Sequence, residues 1–195
     1  NNLSVDLTNI EVVVEASEQF EATTRRFPGM AAGSVTQVAF ELQPTAPFGE
    51  AGQTIEFRVL VDADQLDEPV ATTLELTTIA VDEPYRQTFL SPVDGSIQYY
   101  GVRPPTEVVP GRQYSVVLSL HGAGVEAIGQ ARAYSAREWT YVIAATNRRP
   151  FGFDWEEWGR FNALASLDDA MARFTIDPTR VYLTGHSMGA ATATL

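Results

Sequence analysis

The hydrophobic pattern changes once along the chain, and this change constrains the fold more than any other sequence feature. Up to about Val81, apolar residues alternate with polar ones, which is typical of antiparallel strands with one buried face. Beyond Pro84 the pattern becomes that of short strands followed by helices, as in a parallel sheet. We therefore predict an all-β domain over residues 1–83 and an α/β domain over residues 84–195.

The first domain has four segments in which apolar and polar residues alternate. They cover residues 10–14, 38–42, 55–61 and 74–76. Turns that carry proline and glycine, such as residues 44–52, separate them, so we interpret the domain as a sandwich of the immunoglobulin-like kind. Because four strands are too few for a complete sandwich, we expect part of it to lie upstream.

The second domain is interpreted as one sheet with flanking helices. Strands are predicted at residues 86–91, 96–102, 114–120, 140–145 and 180–185, and helices at residues 125–138, 161–174 and from 187 onward. The turn residues 92–95 predict a hairpin at the sheet edge, and the apolar run at 116–118 predicts a central strand. The helical spacing of five large residues predicts a stripe that packs on the sheet. These residues are Phe161, Leu164, Leu167, Met171 and Phe174.

One motif in the second domain carries chemistry. Residues 185–189 read Gly-His-Ser-Met-Gly and match G-x-S-x-G between a predicted strand and a predicted helix. The sharp turn would hold Ser187 in a strained conformation, and a Cβ at Gly185 or Gly189 would clash with the flanking chain. We therefore predict Ser187 as a nucleophile and the Met188 amide as a donor to the developing oxyanion.

A second loop of small residues follows the predicted central strand. It reads His121-Gly122-Ala123-Gly124, which is close to the HGGG-type oxyanion loop. We expect the Ala123 N–H to be the second oxyanion donor, with the Gly122 N–H as the alternative. Gly124 supports the loop, and His121 is interpreted as a structural histidine. His186 adjoins the nucleophile and is expected to point away from its hydroxyl, so neither histidine suits the role of general base.

Residues 118–124 (LSLHGAG) and 177–189 (DPTRVYLTGHSMG) together resemble the prolyl-oligopeptidase-like and esterase branch of the α/β-hydrolases. The resemblance covers roughly residues 86–195. It implies a triad of Ser, Asp and His in that chain order, with the acid and the base after Ser187. The sequence ends eight residues after Ser187. We therefore expect the acid, the base and the later strands to belong to a segment outside this sequence, and that segment to be required for folding.

The implied activity is hydrolysis of a small-molecule or oligomeric carboxylic ester through an acyl-Ser187 intermediate, with no cofactor and no metal. A serine peptidase of the same branch is an alternative, because the sequence up to Ser187 does not separate the two. The absence of a propeller-type repeat favours the esterase. A third hypothesis is an inactive fragment whose β-domain is a binding or interaction module, which the intact glycine motifs disfavour.

Composition excludes other classes of function. The chain has 25 acidic and 13 basic residues and a net charge of −12, which repels nucleic acids and anionic membrane surfaces. It has no cysteine, so disulfides and thiolate metal sites are excluded. The acidic residues at 62, 64, 67 and 68 miss the spacing of a calcium-binding EF-hand loop. We expect a secreted or periplasmic bacterial location.

An aromatic stretch at residues 148–158 follows the predicted fourth strand. Loops in this position often carry function, and Phe151, Phe153 and Trp155 are candidates for the wall of an acyl or leaving-group pocket. The alternative is that these aromatic side chains cover the edge of the sheet.

Overall fold

The computed structural model describes residues 3–46, 48–148 and 154–193. It divides into two compact units, Asn1–Ala80 and Val81–Leu195. Among the described residues, no helix combines the length and apolar character needed to cross a membrane.

The first unit is built on an antiparallel sheet of four strands in the order β2-β1-β3-β4. The strands are β1 (Leu7–Val14), β2 (Thr23–Met30), β3 (Thr54–Asp62) and β4 (Val70–Thr77). The register pairs Val12 with Val61 and Val14 with Val59, so the alternating apolar residues of β1 and β3 share one face. That face forms the core of the unit.

The expected strand at residues 38–42 is corrected, while the sandwich stays a prediction. Residues 38–42 form no strand, although Phe40 and Leu42 pack partly buried against the core. The second strand is instead Thr23–Met30, which contains Pro28 and shows no clean alternation. Proline is tolerated there because β2 is an edge strand, and the backbone N–H and C=O groups on its outer side have no neighbouring strand to pair with. The described residues of this unit form one sheet, without the second sheet of a sandwich.

The second unit is a mixed α/β structure with a five-stranded sheet in the order β5-β6-β8-β7-β9. Its elements are β5 (Tyr85–Leu90), β6 (Ile97–Arg103), β7 (Tyr114–Leu120), α1 (Ala127–Arg132), β8 (Thr140–Ala145), α2 (Glu157–Arg173), β9 (Ile176–Gly185) and α3 (Met188–Ala193). The β5–β6 hairpin lies at one edge and pairs antiparallel, whereas β8, β7 and β9 run parallel. The apolar strand β7 has neighbours on both sides, as its sequence predicts.

Helix α2 packs through small residues, which corrects the expected stripe of large ones. Phe161 and Leu164 are 43% and 49% exposed, while Leu167, Met171 and Phe174 are partly buried against the core. The buried positions of the helix are Gly159, Asn162, Ala163, Ala165, Ser166 and Ala170. Small side chains let the helix backbone approach the sheet closely, and this close approach leaves Phe161 and Leu164 outside the contact.

The parallel strands bring three loops to one edge of the sheet. In the register, Leu118 of β7 lies opposite Ile143 of β8 and Leu183 of β9. The carboxyl ends of the three strands therefore lie side by side, and the loops that follow them meet. Such an edge is where open α/β sheets bind ligands.

Candidate active site

The chain turns sharply at Ser187, between β9 and α3. Ser187 has a φ of 52°, in the left-handed region that a side chain enters only at a cost in energy. Backbone hydrogen bonds hold the turn. The His186 N–H donates to the Leu120 carbonyl at 3.0 Å, and the Gly189 N–H donates to the His186 carbonyl at 3.0 Å. Ser187 itself is exposed at the edge of the sheet.

The two glycines of this turn occupy positions that no side chain fits. A Cβ on Gly185 would lie 2.6 Å from the Ala190 nitrogen and closer still to the Gly189 backbone. A Cβ on Gly189 would lie 2.6 Å from the Leu120 carbonyl carbon. Backbone atoms cannot swing aside as a flexible side chain can. These contacts are the steric reason for glycine at both positions, as expected from the sequence. The catalytic role of Ser187 stays a prediction.

The loop after β7 lies directly against the turn at Ser187. A Cβ on Gly122 would lie 3.1 Å from the Ser187 Cβ and 2.9 Å from the His186 Nδ1 atom, so the close approach depends on glycine. The Val125 N–H donates to the Gly122 carbonyl at 3.2 Å, and Gly124 has a φ of 76°. The two loops singled out from the sequence are therefore in contact.

Two amide groups beside Ser187 are available as donors. Ala123 is exposed and Met188 is half-buried. Among the described residues, no acceptor takes a hydrogen bond from either backbone N–H. A free N–H beside the nucleophile is what an oxyanion hole requires. Ala123 and Met188 therefore stay the predicted donors, with the buried Gly122 as the alternative.

His121 is fully buried beneath this loop. Its exposed fraction is 0%, its Nδ1 atom lies 2.9 Å from the Gly122 carbonyl oxygen, and its Nε2 atom lies 3.1 Å from the Thr146 carbonyl oxygen. Both ring nitrogens thus face backbone carbonyls and tie the loop after β7 to the loop after β8. A ring held in this way is not available to take a proton from Ser187.

Of the three aromatic residues predicted to wall a pocket, Phe151 and Phe153 lie outside the described residues. Trp155 is 2% exposed, and its ring meets the His121 ring edge-on with the centroids 4.9 Å apart. Its indole N–H donates to the His121 carbonyl at 3.1 Å. In the described structure Trp155 therefore belongs to the core beneath the loop after β7, and its side chain is buried.

Polar side chains from the loop after β8 and from α2 complete the support of the site. Asn162 accepts hydrogen bonds at its Oδ1 atom from both the N–H and the hydroxyl of Thr146, each at 3.1 Å. The Asn147 side-chain amide donates to the Asp154 carbonyl at 2.9 Å. The Asp154 N–H in turn donates to the Met188 sulfur at 3.0 Å. Sequence reasoning missed Asn162 and Asn147, because a single polar residue carries no signal of a distant partner.

Neither an activating base nor a metal site accompanies Ser187 in the part of the chain that the structure describes. No side chain there forms a hydrogen bond with the Ser187 hydroxyl. No group of three or more His, Asp or Glu side chains there is arranged to hold a metal ion. The described edge therefore presents an exposed serine hydroxyl beside backbone N–H groups, and their catalytic roles stay predictions.

No protein family and no curated protein matches this chain. Solved structures similar to it include one described as a thermostable esterase, with 18% identity and a TM-score of 0.46, over 99% of this chain and 68% of the esterase. Another is the acylaminoacyl peptidase of Pyrococcus horikoshii, with 13% identity and a TM-score of 0.40, over 76% of this chain and 29% of the peptidase. At identities and scores this low, neither similarity bears on the activity of this chain.

Proposed function

We propose that this chain belongs to a serine hydrolase of the α/β-hydrolase type, with Ser187 as its nucleophile. The observation that carries the proposal is the turn at Ser187. A serine with a φ of 52° stands between two glycines whose Cβ positions are filled by backbone. A strained, exposed serine of this kind lowers the stability of the fold, and a role in nucleophilic catalysis would explain why the strain is retained.

The proposed reaction is the hydrolysis of a carboxylic ester in two steps. The Ser187 oxygen bonds to the carbonyl carbon, its proton passes to a general base, and the carbonyl electron pair moves onto the oxygen. The amide N–H groups of Ala123 and Met188 stabilise that oxyanion. The alcohol then leaves with the proton from the base, and water cleaves the acyl-Ser187 bond by the same sequence of steps to release the acid.

The Asp and His that activate Ser187 are proposed to lie outside residues 1–195. The engagement of both His121 ring nitrogens with backbone carbonyls supports this, because it removes that histidine from the role. Without an activating base, Ser187 is an ordinary alcohol. The experiments therefore use the natural full-length protein.

The test is labelling by a fluorophosphonate probe, which reacts with activated serines. We expect the full-length protein to gain the mass of one phosphonyl group at Ser187 and the Ser187→Ala variant to gain none. Ser135 is exposed in the same unit, so Ser135→Ala is the matched control and should label like the wild type. An unlabelled wild-type protein, or a Ser187→Ala variant that still labels, would contradict the proposal and favour an inactive module.

The substrate class is tested with full-length protein that has not been exposed to the probe, because a phosphonylated Ser187 can no longer attack a substrate. An ester and an anilide that carry the same acyl group are compared by kcat/KM. We expect the ester to be hydrolysed and the anilide to be a poor substrate. Preferential cleavage of the anilide would retain Ser187 as the nucleophile and make the protein a serine peptidase.

A further inference from the structure

One short segment contacts both halves of the proposed oxyanion hole. The proposed donor Ala123 lies in the loop after β7, and Met188 follows the turn at Ser187 as the first residue of α3. Asp154 contacts the Met188 side chain, and its neighbour Trp155 contacts the backbone of His121. Residues 154 and 155 therefore join the loop after β7 to the loop that forms the turn at Ser187.

The contact of Trp155 sets the orientation of a peptide group. The indole N–H donates to the His121 carbonyl, which belongs to the peptide unit that carries the Gly122 N–H. Because a peptide unit is planar and trans, fixing its carbonyl also fixes the direction of its N–H. In the next peptide unit, the His121 ring holds the Gly122 carbonyl and thereby fixes the Ala123 N–H. The N–H groups of Gly122 and Ala123 therefore point in directions that are set by carbonyl groups held from the core.

The contact of Asp154 acts on the other loop. Its N–H donates to the Met188 sulfur at 3.0 Å, and Met188 packs against the core of the unit. A thioether is a weak acceptor, so this bond adds less than the indole bond does.

The segment itself is held from two sides. The Asn147 side-chain amide donates to the Asp154 carbonyl at 2.9 Å, and the Trp155 ring is buried in the core. A Cβ on Gly159 would collide with the Asn147 side chain, so α2 also keeps Asn147 in place. The segment is therefore a rigid link between the two loops.

We propose that Trp155 and Asp154 are positioning residues that set the spacing and direction of the oxyanion donors. This inference rests on the proposed function. An oxyanion hole works only when its donors already point at the place where negative charge develops. Loss of the link should thus weaken binding of the transition state more than binding of the substrate, which lowers kcat and leaves KM nearly unchanged.

The test is Trp155→Phe in the full-length protein, which keeps an aromatic ring against His121 and removes the indole N–H. We expect kcat for the ester to fall roughly 10- to 100-fold, since small misplacements of catalytic groups have effects of that size. KM should stay within about twofold, and affinity for a trifluoromethyl ketone, which forms a tetrahedral oxyanion, should fall in parallel with kcat. Trp139→Phe is the matched control, because that side chain is half exposed and should leave kcat unchanged.

A second variant keeps the test decisive if Trp155→Phe does not fold. Met188→Leu preserves the volume of the side chain and removes the sulfur, and we expect kcat to fall about threefold at unchanged KM because the lost acceptor is weak. A folded Trp155→Phe variant with the kcat and inhibitor affinity of the wild type would overturn the inference for Trp155. A folded Met188→Leu variant with wild-type kcat would overturn it for Asp154. Labelling of the wild-type protein at Ser187 in either case would leave the proposed function standing, whereas an unlabelled wild type overturns both.

Discussion

The turn at Ser187 and the loop at His121 lie on neighbouring strands and contact each other, yet different forces hold them in place. In the turn, the constraint is steric, because the Cβ positions of Gly185 and Gly189 are filled by backbone atoms. In the loop, the constraint is a set of polar contacts: the Trp155 indole N–H donates to the His121 carbonyl, and the two His121 ring nitrogens lie 2.9 and 3.1 Å from the Gly122 and Thr146 carbonyl oxygens.

Both constraints involve residues that are distant in sequence, since Leu120 blocks the Cβ position of Gly189 and Trp155 lies 34 residues from the carbonyl that it holds. The difference lies in how each constraint responds to a substitution. A backbone atom that fills a Cβ position excludes every side chain from that position, whereas the loss of one hydrogen bond lowers stability by a limited amount of free energy. Substitutions in the turn should therefore act as all-or-none changes, and substitutions around the loop should act in degrees.

The largest expected effect comes from Gly189→Ala. The new Cβ would overlap the Leu120 carbonyl group, so either β7 or α3 must move. We expect the free energy of unfolding to fall by more than about 3 kcal/mol, in the range of severe steric substitutions. Fluorophosphonate labelling of Ser187 should be lost. Chemical denaturation of the full-length protein and the intact mass after labelling measure the two effects.

A matched glycine supplies the control for this substitution. Gly129 lies in α1, and a Cβ there would meet only the Val125 side chain at 3.8 Å. Gly129→Ala should raise the free energy of unfolding by about 0.5–1 kcal/mol, because alanine favours a helix over glycine. If Gly189→Ala were as stable and as reactive as Gly129→Ala, the steric account of the turn would be wrong.

A smaller effect is expected from His121→Phe, which tests the loop. Phenylalanine keeps a ring against Trp155 but leaves the Gly122 and Thr146 carbonyls without their partner. The loss of buried hydrogen bonds should lower the free energy of unfolding by about 1–3 kcal/mol. Because the Ala123 N–H loses its orientation, we also expect kcat to fall roughly tenfold, which enzyme assays at saturating ester measure.

The control for His121→Phe lies at the opposite end of β8. The buried Thr140 hydroxyl donates to the carbonyls of Ser115 and Tyr141 at 3.3 and 3.1 Å. Thr140→Val should also lower stability, but it should leave kcat unchanged, because this end of the sheet is remote from the loops. Equal losses of kcat in the two variants would mean that general destabilisation causes the effect.

The same contrast explains how much of the structure can be predicted from the sequence. Strands Tyr114–Leu120 and Thr140–Ala145 match their expected ranges, because each contains a short apolar run and is buried on both faces. The spacing of Gly185 and Gly189 is likewise readable within five residues, although the backbone that blocks Gly189 belongs to Leu120. Each of these signals is contained in a few adjacent residues.

Features that depend on distant partners could not be predicted in this way. Strand Thr23–Met30 is an edge strand that is mostly exposed, so it needs no apolar alternation and can contain Pro28. The small residues of α2 form a contact face only because the sheet lies close to them. Trp155 has the composition of a pocket aromatic, and only the position of the His121 carbonyl reveals its supporting role.

The smallest expected effect concerns a third link, between the loop after β8 and the hairpin at the sheet edge. The Arg148 guanidinium donates to Asp94 at 2.6 Å and to the Ser91 hydroxyl at 2.9 Å. The hydrogen bond from Arg148, and after it the one from the Ser96 hydroxyl, hold the pKa of the Asp94 carboxyl well below its ordinary value. Since the folded-state pKa is the lower one, the stabilisation is fully present above the unfolded pKa of about 4 and is lost as the pH falls below it.

Asp94→Asn should therefore be less stable than the wild type at neutral pH, and the difference in stability should begin to narrow as the pH falls below about 4 in denaturation series. Glu126→Gln breaks the exposed pair with Arg86, whose charged atoms are 3.5 Å apart, and should barely alter stability, since exposed ion pairs contribute little. Ester hydrolysis at neutral pH should be unaffected in both variants, because the Asp94 side chain bonds to Arg148 and Ser96 and the Glu126 side chain pairs with Arg86, and none of these partners belongs to the turn at Ser187. A loss of kcat in Asp94→Asn alone would mean that the edge hairpin, through Arg148, also positions the loops of the site, and the contrast between a steric turn and a hydrogen-bonded loop would then extend to the edge of the sheet.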